Sequence, residues 1–114
     1  MKKSDIVLIR FPFTDLSGSK RRPALILTNG GMHGTDVIVA FISSVVTGQV
    51  REVDLVLRKE DSEFEITGLK KTSVLKLDKI ATLDKQLVTG EMGSITSQKM
   101  NEVRIKLKMA LELD

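Results

Sequence analysis

The stretch DIVLIRFPFTDLSGSKRRPALILTN, Asp5 to Asn29, decides the fold. Ile6 to Ile9 and Ala24 to Leu27 are short runs rich in branched aliphatics and bounded by turn residues, which predicts two buried strands rather than a helix. Between them Asp15, Ser17, Gly18 and Ser19 supply turn chemistry. The joining loop ends in Lys20-Arg21-Arg22-Pro23, so three consecutive cations stand where the chain re-enters the core. A residue before proline is pushed towards an extended backbone. Arg22 is therefore expected extended at a strand start, from where its guanidinium can reach an anion.

Outward from this hairpin, Asn29 to Asp36 is a glycine-dense, exposed loop. Val37 to Ile42 reads as a third strand, apolar on both faces and so central, ending in Ser43-Ser44. Glu52 to Leu57 alternates charged and apolar residues, which predicts a fourth strand with one wet face. Thr72 to Leu77 reads as a further strand and Ile80 to Leu83 as another short apolar stretch. Asp84 can cap a short helical turn at Lys85-Gln86-Leu87. From Ser97 the pattern changes: Met100, Val103, Leu107, Ala110 and Leu111 form an apolar stripe at helical spacing, capped by Thr96 or Ser97. Lys99, Arg104, Lys106 and Lys108 are expected to solvate its other side. Many short strands finished by one amphipathic helix predict a mainly β fold with α (α+β): a small β-barrel closed by a C-terminal helix.

Length and composition fit this reading. A chain of 114 residues is one domain, 1–114, and buries roughly two-thirds of its unfolded surface. No apolar run nears the ~20 residues of a membrane span, and the short apolar run after Met1 to Asp5 has no small-residue cleavage site, so a cytoplasmic protein without membrane contact is expected. The absence of cysteine removes disulfides, thiolate metal sites and a cysteine nucleophile. Net charge is +3, and it is unevenly spread. Met1 to Gly31 carries six Lys or Arg (Lys2, Lys3, Arg10, Lys20, Arg21, Arg22) against two acids (Asp5, Asp15), which suits a polyanionic partner at the hairpin.

Few catalytic chemistries survive. Gly30-Gly31 with Gly34 lies between strands, not before a helix, so it is no nucleotide fingerprint. His33 is the one histidine, which leaves neither a His/Cys metal set nor a supported hydrolase triad for Ser43 and Ser44. Arginine chemistry remains: a guanidinium offers five donors in a fork matching phosphate geometry and stays charged at any working pH.

The opening Asp5-Ile6-Val7-Leu8 with Phe11-Pro12, then Gly18-Ser19 followed by Arg22-Pro23-Ala24-Leu25, the strand Val37 to Ser44, the segment Thr82-Leu83-Asp84-Lys85 and the terminal helix are similar in order and spacing to the PemK/MazF family of type II toxin–antitoxin ribonucleases. The resemblance covers essentially the whole chain. It implies an SH3-like barrel with a C-terminal helix, a homodimer, a cognate antitoxin protein as partner, and metal-independent, sequence-specific cleavage of single-stranded RNA, including mRNA, with no cofactor. In that chemistry a 2′-hydroxyl attacks the adjacent phosphate, leaving a cyclic phosphate and a 5′-hydroxyl. Residue by residue, the resemblance makes Arg22 and Ser43 catalytic; Lys20 and Arg21 beside Arg22, with Ser19 and Ser44, are expected to contact flanking substrate. The chain also departs from the pattern. Gly18-Ser19 runs directly into Lys20-Arg21-Arg22 where many members have a longer loop with a Glu, Ala81 stands where an arginine is frequent, and Ser43 replaces threonine. Two alternatives stay in view. A gyrase-inhibiting CcdB-like toxin is disfavoured by the absence of tryptophan, and a nonenzymatic nucleic-acid-binding barrel by the scarcity of aromatic stacking residues.

Overall fold

Both strands of the opening hairpin form in the computed structural model, which describes residues 1–10, 21–44 and 48–113. β1 is Asp5–Arg10 and β2 is Arg21–Ile26, so the second strand starts three residues earlier than its apolar run. The glycine loop leads into β3, Asp36–Ser43; β4 is Asp54–Leu57, β5 Ser73–Asp84 and β6 Val88–Ser94, before helix α1, Ser97–Ala110. The described strands make one sheet in the order β4-β5-β3-β2-β1-β6, with antiparallel neighbours throughout.

The sheet separates two apolar clusters. On one face Ile6, Leu25, Ala40, Ile42, Leu75 and Leu77 pack with Met100 and Val103 of α1. On the other, Val7, Ile9, Ala24, Ile26, Val37 and Val39 pack with Leu83. β3 contributes to both, as its apolar sequence predicted for a central strand. Thr96 caps α1 by accepting the Lys99 N–H at 3.1 Å. The apolar stripe holds at Met100, Val103, Leu107 and Ala110, but Leu111 is exposed past the helix end. On the opposite side of α1, Ile105 and Met109 interrupt the expected polar surface.

The expected closed barrel does not form. β4 and β6 are the two edges of an open sheet. β6 slips register against β1 at two places. It is flanked by a 3-10 turn, Glu65–Thr67, whose backbone sits where a Cβ on Gly93 would have to be.

β5 unites the Thr72–Leu77 and Ile80–Leu83 stretches into one strand with a sharp bend. Its pairing to β3 jumps from Ala40–Ile80 to Phe41–Lys76, leaving Leu77 to Lys79 outside that ladder. Arg51 holds the bend. Its guanidinium donates to Asp54 (2.8 and 3.1 Å) and to both carboxylate oxygens of Asp78 (2.8 Å each). Asp54, predicted on a wet face, is buried instead. A buried carboxylate needs such a partner. Burial works to raise the Asp54 pKa, but hydrogen bonds from the Arg51 guanidinium and backbone N–H outweigh it and hold the carboxyl below its usual range. Hydrogen bonding from Arg51 likewise lowers Asp78, and the two carboxylates raise Arg51. Among the described residues no helix is long and apolar enough to cross a membrane.

Candidate functional site

Strand register decides which cations can act together. β1 and β2 pair as Ile9–Arg22 and Arg10–Arg21. Residues directly opposite in an antiparallel pair share a face, and neighbours along a strand alternate. Arg22 therefore lies on the face of Val7, Ile9 and Ala24, away from α1. Arg21 lies on the face of Ile6 and Leu25, towards α1. Arg21, expected to contact flanking substrate, and Arg22 are thus adjacent in sequence but diverge across the sheet.

The register of β2 with β3 bears on Ser43 in the same way. β2 and β3 pair as Ile26–Val39, Leu25–Ala40 and Ala24–Phe41. Carrying this register two residues further sets Arg22 opposite Ser43. Phe41 packs against the Val7–Ile9 cluster, so Ser43, the next residue of that parity, shares the face of Arg22. Directly opposite side chains start on the order of 5 Å apart, close enough for both to engage oxygens of one phosphate. Ser43 is also paired with Val74 of β5, in the segment that Leu55 to Leu57 of β4 clasp from the other side. The Arg51–Asp54–Asp78 network thus steadies the strand that backs Ser43.

Arg22 and Arg21 are exposed, Ser43 is half-buried and Ser44 is exposed in the bend after β3. Ser19 and Lys20 lie outside the described residues. No ion pair joins Arg10, Arg21 or Arg22 to a described carboxylate. Arg10 is the residue that sequence reasoning passed over. It was counted only as a charge, yet it stands directly opposite Arg21. Like charges facing each other across a ladder are destabilising, and an anion between them would relieve that repulsion. Both residues lie outside the apolar runs from which the two strands were read, so only the register shows that they face each other. Gly30, Gly31, His33 and Gly34 form the exposed loop that sequence patterning predicted. Among the described residues, no group of three His, Cys, Asp or Glu side chains is placed to hold a metal.

An exposed cation and a hydroxyl on one face, with a second pair of cations across the strand, can bind a phosphodiester. Comparisons with known proteins bear on that chemistry. A family model described as PemK-like, MazF-like toxin of type II toxin-antitoxin system matches residues 2–111. Among solved structures, the chain is similar to an endoribonuclease in complex with its cognate antitoxin from a mycobacterial species, at a TM-score of 0.73 and 23% identity, covering 100% of this chain and 97% of that one. It is similar to the Mycobacterium tuberculosis toxin MazF-mt6 at a TM-score of 0.74 and 23% identity, covering 96% and 98%. A MazE-MazF complex from Deinococcus radiodurans aligns at a TM-score of 0.74 and 20% identity, covering 100% and 97%. No curated protein sequence matches the chain.

Proposed function

Because the chain belongs to the PemK-like, MazF-like toxins of type II toxin–antitoxin systems, we propose that it is an endoribonuclease that cleaves single-stranded RNA, including mRNA, without a metal, with Arg22 and Ser43 at the scissile phosphate. The observation that supports this reading is the β2–β3 register, which, carried two residues past Ala24–Phe41, sets the arginine before Pro23 opposite the hydroxyl at the end of β3 on one face of the sheet. Attack of the 2′-oxygen on phosphorus forms the cyclic phosphate as the bond to the 5′-oxygen breaks. The 2′-hydroxyl proton leaves to base or solvent, and the departing 5′-oxygen takes up a proton. Negative charge grows on the non-bridging oxygens in between. A guanidinium donates two parallel hydrogen bonds to such oxygens, and a serine hydroxyl donates a third. Donors fixed in advance at the position where charge develops stabilise the transition state more than the ground state.

Arg21 with Arg10, and Lys20 and Ser19 from the loop, serve flanking phosphates, and Ser44 extends the contact beyond β3. In single-strand binding, phosphate contacts set affinity with little sequence information. Sequence specificity is then left to groups around the rim. The family context also implies a cognate antitoxin, a homodimer and action in the cytoplasm. The test is incubation of the pure protein with an unstructured RNA in EDTA. Cleavage to cyclic-phosphate and 5′-hydroxyl ends, abolished by Arg22→Ala in a folded protein, is the expected result. Cleavage that disappears in EDTA and returns with a divalent ion, or that persists undiminished in Arg22→Ala, would overturn the reading.

A further inference from the structure

Asn29 and Gly30 stand side by side in the exposed loop between β2 and β3, and their surroundings favour an attack of one residue on the other. Glycine has no side chain to shield its own nitrogen, and even a Cβ placed at Gly30 would meet nothing within 4 Å. The Gly30 N–H joins no hydrogen bond among the described residues, so its nitrogen can give up a proton to base and turn towards the Asn29 side chain. There Asn29 Oδ1 accepts the Lys3 backbone N–H at 3.0 Å. That donor withdraws electron density from the side-chain carbonyl, and it already points at the oxygen on which negative charge develops once Cγ is attacked. The charges nearby act in the same direction. Lys2, Lys3 and Arg104 line the groove around Asn29, with no carboxylate, and none of these cations has an ion-pair partner among the described residues.

We propose that Asn29 is a self-modification site, at which the chain deamidates through a cyclic imide formed with Gly30. The Gly30 nitrogen bonds to Asn29 Cγ, the bond from Cγ to the side-chain nitrogen breaks, and ammonia departs with the proton that Gly30 gave up. Water then opens the ring. Attack at Cγ restores the backbone and leaves aspartate; attack at the backbone carbonyl leaves isoaspartate, in which the chain runs through the side-chain carbon. With ammonia lost and water gained, the amide becomes a carboxylic acid and no redox partner is needed. Aspartate fits the place. Its Oδ1 accepts from Lys3 as the amide does, and its charge at neutral pH meets Lys2, Lys3 and Arg104. It also faces Ser97, the first residue of α1, which lines the same groove and marks the helix end that favours a negative group. Asn101 is different, because Glu102 follows it inside α1, where the helix holds the next N–H in an intrahelical bond. The chemistry is independent of RNA cleavage, since neither Arg22 nor Ser43 takes part.

Incubating the full-length protein at mildly alkaline pH, followed by cation-exchange chromatography and peptide mass mapping, tests the proposal. A more acidic form should accumulate, faster as pH rises. The mass gain of an NH2-to-OH exchange should fall in the peptide that holds Asn29 and be absent from the one that holds Asn101. Gly30→Ala should lose most of this conversion, because its methyl group crowds the attacking nitrogen, while it unfolds as the parent does. Asn29→Asp should elute with the acidic form from the start and melt no lower than the parent. The proposal is overturned if no acidic form appears, if the mass gain lies in another peptide, or if Gly30→Ala converts as fast as the parent. An Asn29→Asp protein that melts below the parent would overturn the fit of aspartate to the groove. None of these results touches the cleavage assay in EDTA, so the two readings fail separately.

Discussion

Substituting Gly93 by alanine should destabilise the protein far more than one added methyl group suggests. The new Cβ would stand 2.6 Å from the Thr67 carbonyl carbon and 2.7 Å from its oxygen, with the Ile66 carbonyl oxygen nearer still. Non-bonded carbons settle at about 3.5–4.0 Å, so the 3-10 turn Glu65–Thr67 must retreat by roughly 1 Å. The opposing atoms are backbone, which cannot swing aside as a side chain can. Overpacking alone costs about 1–3 kcal/mol. The retreat also strains the buried Thr67 hydroxyl, which donates to the Phe64 carbonyl at 2.6 Å and accepts from the Leu69 N–H at 3.1 Å. A loss of about 2–4 kcal/mol follows. With an unfolding entropy near 2.1 cal/mol/K per residue, each kcal/mol shifts the midpoint of a chain this size by ~4 °C, so Tm should fall by about 8–16 °C. Thermal unfolding followed by circular dichroism measures this, with Gly30→Ala as the control. Gly30 has nothing within 4 Å of an added Cβ, and its alanine variant should unfold within ~2 °C of the parent. Gly93 pairs with Ile6, whereas Arg22 pairs with Ile9 at the other end of β1. RNA cleavage should therefore persist at temperatures where the variant is folded. A Gly93→Ala protein melting within ~2 °C of the parent would refute the account of why β6 lies beside the turn.

Arg22→Ala and Ser43→Ala should each slow cleavage by about a hundred- to thousandfold, and the double variant should be little slower than either, because both donors act on one phosphate; fully multiplicative losses in single-turnover kinetics would place them on different groups. Asp54 and Asp78 have folded-state pKa values below the usual range, so the unfolded chain binds more protons in acid. Their stabilisation is full above the unfolded carboxylate pKa near 4 and is lost as pH falls through the folded values. Tm measured from pH 6 down to pH 3 should drop more steeply for the parent than for Asp54→Asn/Asp78→Asn, and parallel profiles would contradict the network's role. Ser4 holds a left-handed backbone at φ 81° while its N–H donates to Ile26 and its carbonyl accepts from Ile95, both at 3.0 Å. Relief of the Cβ clash exceeds the entropy cost of glycine, so Ser4→Gly should raise stability by about 0.5–1 kcal/mol, or ~2–4 °C in Tm, and a fall in Tm would count against that balance.

Much of the architecture was legible because its signals are local. The paired aliphatic runs, the apolar β3, the Thr96 cap and the Met100–Val103 stripe each follow from spacing within a few residues. The illegible parts depend on distant chain. β6 reads VTGEMGS, with two glycines and no apolar alternation, and it is a strand only because β1 offers it a ladder and the Ile66–Thr67 backbone tolerates no side chain at Gly93. β5 looked like two segments because Asp78 and Lys79 interrupt it, and their place in a bend depends on Arg51, 27 residues before Asp78. Asp54 looked solvated by alternation, but a guanidinium that reaches both acids allows it to be buried. Of the candidate site, the sequence named Arg22 and Ser43 together, and the β2–β3 register is consistent with that when carried past Ala24–Phe41. The split of Arg21 from Arg22 followed only once β2 was known to begin at Arg21.

That early start gives Pro23 a second role. Proline has no backbone N–H and is disfavoured inside sheets, yet Pro23 sits in β2 between β1 and β3. The ladder to β1 continues through it to Arg22 and Arg21, whereas the ladder to β3 stops at Ala24–Phe41. The missing donor is therefore the one that would have faced β3. Pairing on that side ends at Ala24, two residues short of Arg22, and its register carried on sets Arg22 opposite Ser43. The proline thus sets the extended backbone of Arg22 and also ends the ladder to β3 beside it.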